Sequence, residues 1–173
     1  CAADWRRTMK KYVIVGGGIA SLGCIDGIRA NDPDGSITLV CGEDVLPYAR
    51  PLISYYLENK TTLEKMQYRS ERFYADNNVK VIKGTFAEKT DGKNILLSDG
   101  EKLPFDKLLI ATGSSPFVPP IAGLDTVKNK TSFMTEADAL ALENMIDENS
   151  RVLIIGAGLI GLKCAEGLSG RVK

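Results

Sequence analysis

The chain has 173 residues, of which 44% are hydrophobic and 25% charged, the balance of a globular protein with a packed core. Its 22 basic and 22 acidic residues cancel, so no charge excess favours nucleic acid or an anionic membrane surface as a partner. No apolar run approaches the roughly 20 residues that span a bilayer. We therefore expect neither a nucleic-acid nor a membrane partner.

The cysteine and histidine content limits the kinds of metal binding and side-chain catalysis that the chain can support. The four cysteines, Cys1, Cys24, Cys41 and Cys164, include no C-x-x-C pair, and the sequence has no histidine, so no metal site is expected. Few cysteines are typical of a reducing compartment, which favours a cytoplasmic protein. Without histidine the commonest general base is missing, so we expect a cofactor to do the chemistry and assign no catalytic side chain.

The predicted elements begin with a β-α-β unit that follows an N-terminal extension, residues 1–9. Residues 11–15 are a nearly continuous apolar run, typical of a strand buried on both faces. Residues 19–31 carry apolar side chains at a helical period and end at the turn sequence NDPDGS. Residues 37–41 predict a second strand. The unit has the length of a nucleotide-binding β-α-β motif.

The middle of the chain predicts short helices, a strand, a meander and a linker. Residues 51–59 and 64–78 favour helices, and residues 79–82 a strand. Two Asp-Gly pairs between residues 83 and 103 indicate a small antiparallel meander. Residues 107–113 form another buried strand that ends at a glycine, and the proline-rich residues after it indicate a linker.

The last part repeats the opening pattern. Thr135 predicts a helix cap, with Asp138 completing a capping box. Residues 151–170 then read as strand, glycine turn and helix, with the second turn beginning 140 residues after the first. We therefore predict an α/β protein: a Rossmann-like parallel sheet with a small antiparallel meander, followed by the start of a second Rossmann-like domain.

Both glycine turns have the spacing of a dinucleotide-binding motif. In G-x-G-x-x-G the first glycine makes the bend, the second admits a pyrophosphate, and the third allows close packing of helix and strand. The pyrophosphate lies at the positive helix N-terminus. The three positions are Gly16, Gly18 and Ser21 in the first turn and Gly156, Gly158 and Gly161 in the second. We expect Ser21 to be tolerated, either by spreading helix and strand slightly or by bonding its hydroxyl to the preceding turn.

An acidic residue lies at the distance expected of a ribose ligand. Glu43 follows Ser21 by 22 residues, just beyond the second predicted strand, and Asp44 is a neighbouring alternative. A carboxylate there accepts both ribose hydroxyls and repels a 2′-phosphate. The sequence ends 12 residues after Gly161, before the position where the corresponding acidic residue of the second turn would lie. It therefore does not distinguish NADH from NADPH.

Four blocks together resemble a known family. They are VIVGGGIAS, ITLVCGEDVLPYARPLIS, FDKLLIATGSSPFVPPIAGL and RVLIIGAGLIGLKCAEGL. In order and separation they are similar to the FAD-dependent pyridine nucleotide-disulfide oxidoreductases, and most to the NADH-dependent branch associated with ferredoxin, rubredoxin and nitrite reductases. The resemblance implies an FAD-binding domain at 10–113, a linker at 114–134 and the beginning of an NAD(P)H-binding domain at 135–173.

The resemblance also implies which residues bind the cofactors. The first turn would hold the FAD pyrophosphate, through Gly16, Gly17, Gly18, Ile19, Ala20 and Ser21, with Glu43 or Asp44 on the FAD ribose. The other FAD contacts would be Arg50, Pro51 and Ser54 near the flavin, Phe86 and Ala87 near the adenine, and Ala111, Thr112 and Gly113 as a second flavin signature. Gly156, Gly158 and Gly161 would bind NAD(P)H. The implied reaction is hydride transfer from the nicotinamide to FAD and onward electron transfer to an acceptor protein or centre.

Three departures from the family pattern leave alternatives open. The motif cysteines of the disulfide reductases and thiol-dependent NADH oxidases are missing, so such a thiol-dependent relative is the second hypothesis. A nucleotide-binding module without turnover is the third.

Relatives often carry a lysine near the flavin after the segment matching Ser54, where this chain has Tyr55. The family also needs downstream segments, so we expect an N-terminal fragment with little turnover and a tendency to self-associate through unpaired apolar surface.

Overall fold

A computed structural model describes residues 9–173, so Cys1 and nearly all of the predicted extension lie outside the described residues. The chain forms two compact units. The first comprises the described residues up to Tyr48 together with Tyr68–Gly113, and the second comprises Ala49–Gln67 together with Ser114–Lys173. Each unit is described separately below.

The described elements are seven strands and six α-helices, with two short 3₁₀ turns at Arg50–Leu52 and Leu124–Thr126. The strands are β1 (Lys11–Val15), β2 (Ser36–Val40), β3 (Val79–Ile82), β4 (Ala87–Thr90), β5 (Asn94–Leu97), β6 (Lys102–Pro104) and β7 (Lys107–Ile110). The helices are α1 (Ile19–Asn31), α2 (Ile53–Leu57), α3 (Leu63–Met66), α4 (Glu71–Asp76), α5 (Glu136–Met145) and α6 (Leu159–Leu168).

The first unit is built on a parallel sheet of order β3-β2-β1-β7. In its register Val15 lies opposite Val40 on one side and Ile110 on the other. Because parallel strands end at the same edge, the residues that follow these three strands emerge side by side. The first glycine turn and the segment from Ala111 therefore start at one edge of the sheet.

Both faces of the parallel sheet are covered, which explains the continuous apolar run of β1. Successive strand side chains point to opposite faces. Ile14 packs with Leu22 and Ile25 of α1 in one core cluster. Val13 and Val15 pack with Ile95 and other residues of the antiparallel sheet β4-β5-β6 in a second cluster. The predicted α/β architecture with a separate meander is confirmed.

The second unit packs α2, α5 and α6 around Leu57, Leu142, Cys164 and Leu168. A glycine allows α6 to approach α2 closely, since a Cβ added at Gly167 would lie 3.0 Å from the Ser54 carbonyl oxygen. The predicted capping box of α5 is present: the Thr135 hydroxyl accepts from the Asp138 amide at 3.1 Å, and the Asp138 carboxylate accepts from the Thr135 amide at 3.0 Å.

Four sequence predictions differ from the structure. The predicted buried strand 107–113 is the shorter β7 (Lys107–Ile110), and none of its residues is buried, because β7 is the last strand of the sheet in the described residues. Of the predicted helix 51–59, only Ile53–Leu57 is α-helical.

The predicted helix 64–78 is divided into α3 and α4, because Gln67 and Ser70 have extended backbones. The predicted strand before the second glycine turn is not formed: among the described residues, 151–157 belong to no strand, and Leu153 is 85% exposed. A strand needs a hydrogen-bonded neighbour whereas a helix satisfies its own backbone, so α6 forms and this strand does not.

Candidate functional site

The first glycine turn lies directly after β1, against the end of β7. Gly16 has a φ of +122°, and a Cβ added there would lie 2.1 Å from the Ala111 carbonyl oxygen. The Ala111 amide donates to the Val15 carbonyl at 2.7 Å, and the Gly16 amide to the Val40 carbonyl at 2.8 Å. The structure thus brings together the turn and the start of the Ala111–Gly113 segment, two blocks that the family resemblance assigned to FAD.

The second glycine of this turn opens a space at a helix N-terminus. Gly18 is the N-cap of α1, makes no side-chain cap bond, and a Cβ added there would meet nothing within 4 Å. Ile19 and Ala20 follow in the exposed first turn. Helix N-termini carry amide donors and a partial positive charge. An uncapped, unobstructed N-terminus of this kind fits a pyrophosphate.

Ser21 occupies the third glycine position without disturbing the turn. Its side chain is fully buried, and its hydroxyl donates to the Gly18 carbonyl at 2.5 Å. This is one of the two outcomes expected from the sequence. Gly17 is closely packed as well, since a Cβ added there would lie 3.0 Å from the Cys41 sulfur.

The loop after β2 brings the predicted ribose and adenine residues together. The Glu43 carboxylate accepts from the Tyr48 hydroxyl at 2.7 Å, and its backbone carbonyl accepts from the Gly84 amide at 3.1 Å. A Cβ added at Gly42 would lie 2.5 Å from the Phe86 ring, which is 64% exposed. Asp44 lies beside Gly84, and Ala87 begins β4. The same loop thus carries an oriented carboxylate at Glu43 and, against the preceding Gly42, an exposed aromatic ring, and these two groups suit the ribose and the base of a nucleoside.

Neither the Gly42–Phe86 contact nor the Tyr48–Glu43 bond was found by sequence reasoning. Phe86 lies 44 residues after Gly42, and no local pattern signals that the two meet. Tyr48 lies only five residues after Glu43, so an aromatic hydroxyl near the candidate acid is the signal that could have pointed to it.

The second unit holds the other predicted cofactor residues. Arg50 and Pro51 lie in a 3₁₀ turn, and the buried Ser54 in α2 donates to the Pro51 carbonyl at 3.4 Å.

The second glycine turn repeats the geometry of the first at its first two glycines and differs from it at the third. Gly156 has a φ of +118°, and Gly158 is the N-cap of α6 with nothing within 4 Å of an added Cβ. A Cβ added at Gly161 would lie 2.0 Å from the Gly156 carbonyl oxygen, so the third position requires glycine here.

The three described cysteines, Cys24, Cys41 and Cys164, are free thiols whose pKa values are all raised. Burial, and next the charge of Glu43, raise the pKa of Cys41 to about 11. Burial also raises the pKa of Cys24 and of Cys164. Within residues 9–173 no three His, Cys, Asp or Glu side chains gather into a possible metal site. In the same part of the chain no helix is long and apolar enough to cross a membrane.

Comparison with known proteins identifies the family. A family model described as pyridine nucleotide-disulphide oxidoreductase matches residues 10–172. The chain belongs to this family. It is 37% identical over 163 residues to the NADH-dependent phenylglyoxylate dehydrogenase subunit epsilon of Aromatoleum evansii, covering 91% of this chain and 38% of that protein. It is 35% identical over 158 residues to putidaredoxin reductase of Pseudomonas putida, covering 88% of this chain and 37% of that protein.

Solved structures of the family show the same fold. The covalent putidaredoxin reductase–putidaredoxin complex gives a TM-score of 0.84 at 32% identity, covering 94% of this chain and 40% of that one. NADH:rubredoxin oxidoreductase from Clostridium acetobutylicum gives a TM-score of 0.77 at 27% identity, covering 95% and 43%. The resemblance predicted from the four blocks is confirmed, and the chain spans less than half the length of these relatives.

Proposed function

We propose that this chain provides the FAD-binding part and the beginning of the NAD(P)H-binding part of an oxidoreductase that passes electrons from NAD(P)H through FAD to an acceptor. The observation that carries the proposal is the pair of open helix N-termini, Gly18 in the first unit and Gly158 in the second. One chain with two such turns suits an enzyme that binds two dinucleotides. FAD, when bound, supplies the hydride-accepting and electron-donating chemistry.

In this proposal the chain's own residues bind and orient the cofactors. The α1 N-terminus at Gly18 holds the FAD pyrophosphate, and Glu43, oriented by Tyr48, accepts the ribose hydroxyls. Phe86 lies beside the adenine. The turn that begins at Gly156 holds the pyrophosphate of NAD(P)H. Arg50, Pro51 and Ser54 approach the flavin, which remains an inference from the family resemblance.

The names of the relatives support an electron-transfer role and leave the acceptor open. Relatives are named putidaredoxin reductase, NADH-rubredoxin oxidoreductase and nitrite reductase. We propose that the acceptor of this protein is likewise a small redox protein or a reductase centre. The raised pKa of each described thiol argues against the thiol-dependent alternative, because a thiol relay needs a thiolate.

Alanine substitutions at Gly18 and Gly158 test which glycine turn binds FAD and which binds NAD(P)H. In the complete protein, Gly18→Ala places a methyl group where the FAD pyrophosphate would lie, and we expect FAD affinity to fall about tenfold or more, ~1.4 kcal/mol. Gly158→Ala should keep FAD bound and raise the KM for NADH by a similar factor. Flavin content after purification and steady-state NADH-driven dye reduction are the measurements.

The assignment of the Glu43 carboxylate to the FAD ribose is tested with its own variants and a matched control. Glu43→Gln should weaken FAD binding, whereas the same change at Glu88, an exposed residue of β4, should not. Tyr48→Phe removes only the orienting bond and should have an intermediate effect. Wild-type protein that binds no flavin and consumes no NADH would instead support the non-catalytic module.

A further inference from the structure

Phe86 is an exposed aromatic residue whose ring is nevertheless held in place. Its side chain is 64% exposed and lies in the segment between β3 and β4. The ring covers Gly42, where an added Cβ would lie 2.5 Å from one ring carbon and 2.9 Å from the next. Any side chain at position 42 would displace the ring, so the glycine is part of what places Phe86.

Two backbone hydrogen bonds join the loop after β2 to the segment after β3 at this contact. The Thr85 amide donates to the Cys41 carbonyl at 3.1 Å, and the Gly84 amide donates to the Glu43 carbonyl at 3.1 Å. Gly42 lies between the two acceptors in the chain. The backbone beneath the ring is therefore fixed on both sides of the contact.

Ser98 holds the backbone of Phe86 from the antiparallel sheet. The Phe86 amide donates to the Ser98 hydroxyl oxygen at 3.1 Å, and the Phe86 carbonyl accepts from the Ser98 amide at 2.8 Å. Ser98 directly follows β5, whose last residue, Leu97, is 1% exposed and belongs to a core cluster. Both backbone polar groups of Phe86 are thus engaged, and its ring is the part that faces solvent.

The ring contacts the same loop that carries the candidate ribose ligand. Gly42 directly precedes Glu43, whose carboxylate is oriented by the Tyr48 hydroxyl at 2.7 Å. Aromatic side chains bind nucleobases by stacking, and stacking tolerates different bases because every base has a π face. A fixed, exposed ring on this loop can therefore recognise the face of a base whose ribose hydroxyls bind the carboxylate.

We propose that Phe86 stacks on the adenine of FAD, that Gly42 and Ser98 are positioning residues for its ring, and that this part of the site recognises the face of the base and not the hydrogen-bonding groups at its edge. The inference rests on the proposed function, since it requires the first unit to bind FAD. It adds a specificity: a nucleotide with the same ribose and diphosphate but another purine binds about as well as the adenine nucleotide.

The test is calorimetric titration of the complete, cofactor-free protein with FAD, with ADP and with IDP, the corresponding hypoxanthine nucleotide. Hypoxanthine keeps the purine face, but an oxygen replaces the amino group at its edge. We expect wild type to bind ADP and IDP within about fivefold of each other, and Phe86→Ala to weaken all three ligands about tenfold. Phe117→Ala, the same change at an 85% exposed phenylalanine of the linker, should weaken none of them.

Alanine substitutions at Gly42 and Ser98 test the positioning roles. Gly42→Ala should weaken ADP binding about tenfold in the wild-type background but less than about twofold when combined with Phe86→Ala, because the ring that it displaces is then absent. Ser98→Ala removes the acceptor of the Phe86 amide and should weaken ADP binding about threefold. Ser98→Thr keeps the hydroxyl and should restore wild-type affinity.

Three results would overturn the proposal. Wild-type affinity of Phe86→Ala for FAD and both nucleotides would show that the ring does not contact the base. Wild-type protein that binds IDP more than about fivefold more weakly than ADP would show that the edge of the base is recognised. An equal effect of Gly42→Ala with and without the Phe86 ring would assign that effect to the loop itself. Wild-type protein that binds neither FAD nor ADP would instead refute the proposed function, and the inference with it.

Discussion

Two glycines of the first turn are required for different physical reasons. Gly16 adopts a left-handed backbone against the Ala111 carbonyl, so a side chain there is both strained and obstructed. Gly18 has a φ of −112° and open space around it. Folding therefore constrains Gly16, whereas only a ligand would constrain Gly18.

Alanine substitutions separate these two constraints. We expect Gly16→Ala to destabilise the protein by about 2–4 kcal/mol, from backbone strain together with overpacking. Gly18→Ala should change the free energy of unfolding by less than about 1 kcal/mol, because the added methyl group meets nothing. Urea denaturation of the cofactor-free protein measures both. Equal losses of stability in the two variants would contradict the geometry of the turn.

The buried Cys41 thiol and Tyr74 hydroxyl make the stability of the first unit depend on pH in the alkaline range. Burial is the main cause that raises the pKa of Cys41 to about 11 and that of Tyr74 to about 12, and both side chains belong to one core cluster. The folded state thus holds these protons more tightly than the unfolded state, where the ordinary values are 9.0 and 10.0. Their contribution to stability is complete below about pH 9 and is lost as the pH rises through about 11 to 12.

The variant Cys41→Ala isolates the cysteine from the other groups that titrate in alkali. Between about pH 8 and pH 11 wild type should lose roughly 2 kcal/mol more stability than Cys41→Ala, the value of a shift of this size. Urea midpoints at the two pH values give the difference. An equal loss of stability in both proteins would contradict this prediction, because it would show that the pKa of Cys41 is the same in the folded and the unfolded chain.

At the scale of elements, the Thr135 cap fixes where α5 begins. The Thr135 hydroxyl accepts from the Asp138 amide, and Asp138 accepts in return from Thr135 and also from Ser132 and Met134. We expect Thr135→Ala to cost about 1 kcal/mol of stability and Thr135→Ser to cost much less, because serine keeps the acceptor. Circular dichroism during urea unfolding measures both variants. A Thr135→Ser variant as unstable as Thr135→Ala would assign the effect to the lost methyl group.

Local patterns predicted the elements whose causes are local. The bounds of α1 follow from a helical period and those of β3 from a short apolar run. The Thr135 capping box depends only on residues within a stretch of four. Contacts made by distant residues were not predictable in this way. Phe86 against Gly42, and Lys163 at Tyr55 over 108 residues, depend on packing that no single segment encodes. The glycines of the two turns and Glu43 followed from motif spacing, the other cofactor residues followed from the resemblance of whole blocks, and all of them remain predictions.

At the scale of the whole molecule, the sequence before and within α6 carries apolar side chains that the described residues do not cover. Leu153, Ile155, Leu159, Ile160 and Leu162 are each more than half exposed. Contiguous apolar surface of this kind favours association. The prediction that the chain self-associates is therefore assigned to this region of the second unit, where the strand expected from the sequence is not formed.

A pair of polar substitutions tests this assignment. We expect the 173-residue chain to sediment with a concentration-dependent mass, and the double variant Leu153→Gln, Ile155→Gln to shift toward the monomer. Phe117→Gln is the control, because Phe117 is as exposed as Leu153, at 85%, but belongs to the linker and not to the segment that immediately precedes α6. All three side chains are mostly exposed, Ile155 at 60%, so we expect each replacement to change the stability of the fold little. If Phe117→Gln dissociates the chain as effectively as the double variant, association is driven by the linker and the residues before α6 are not its site.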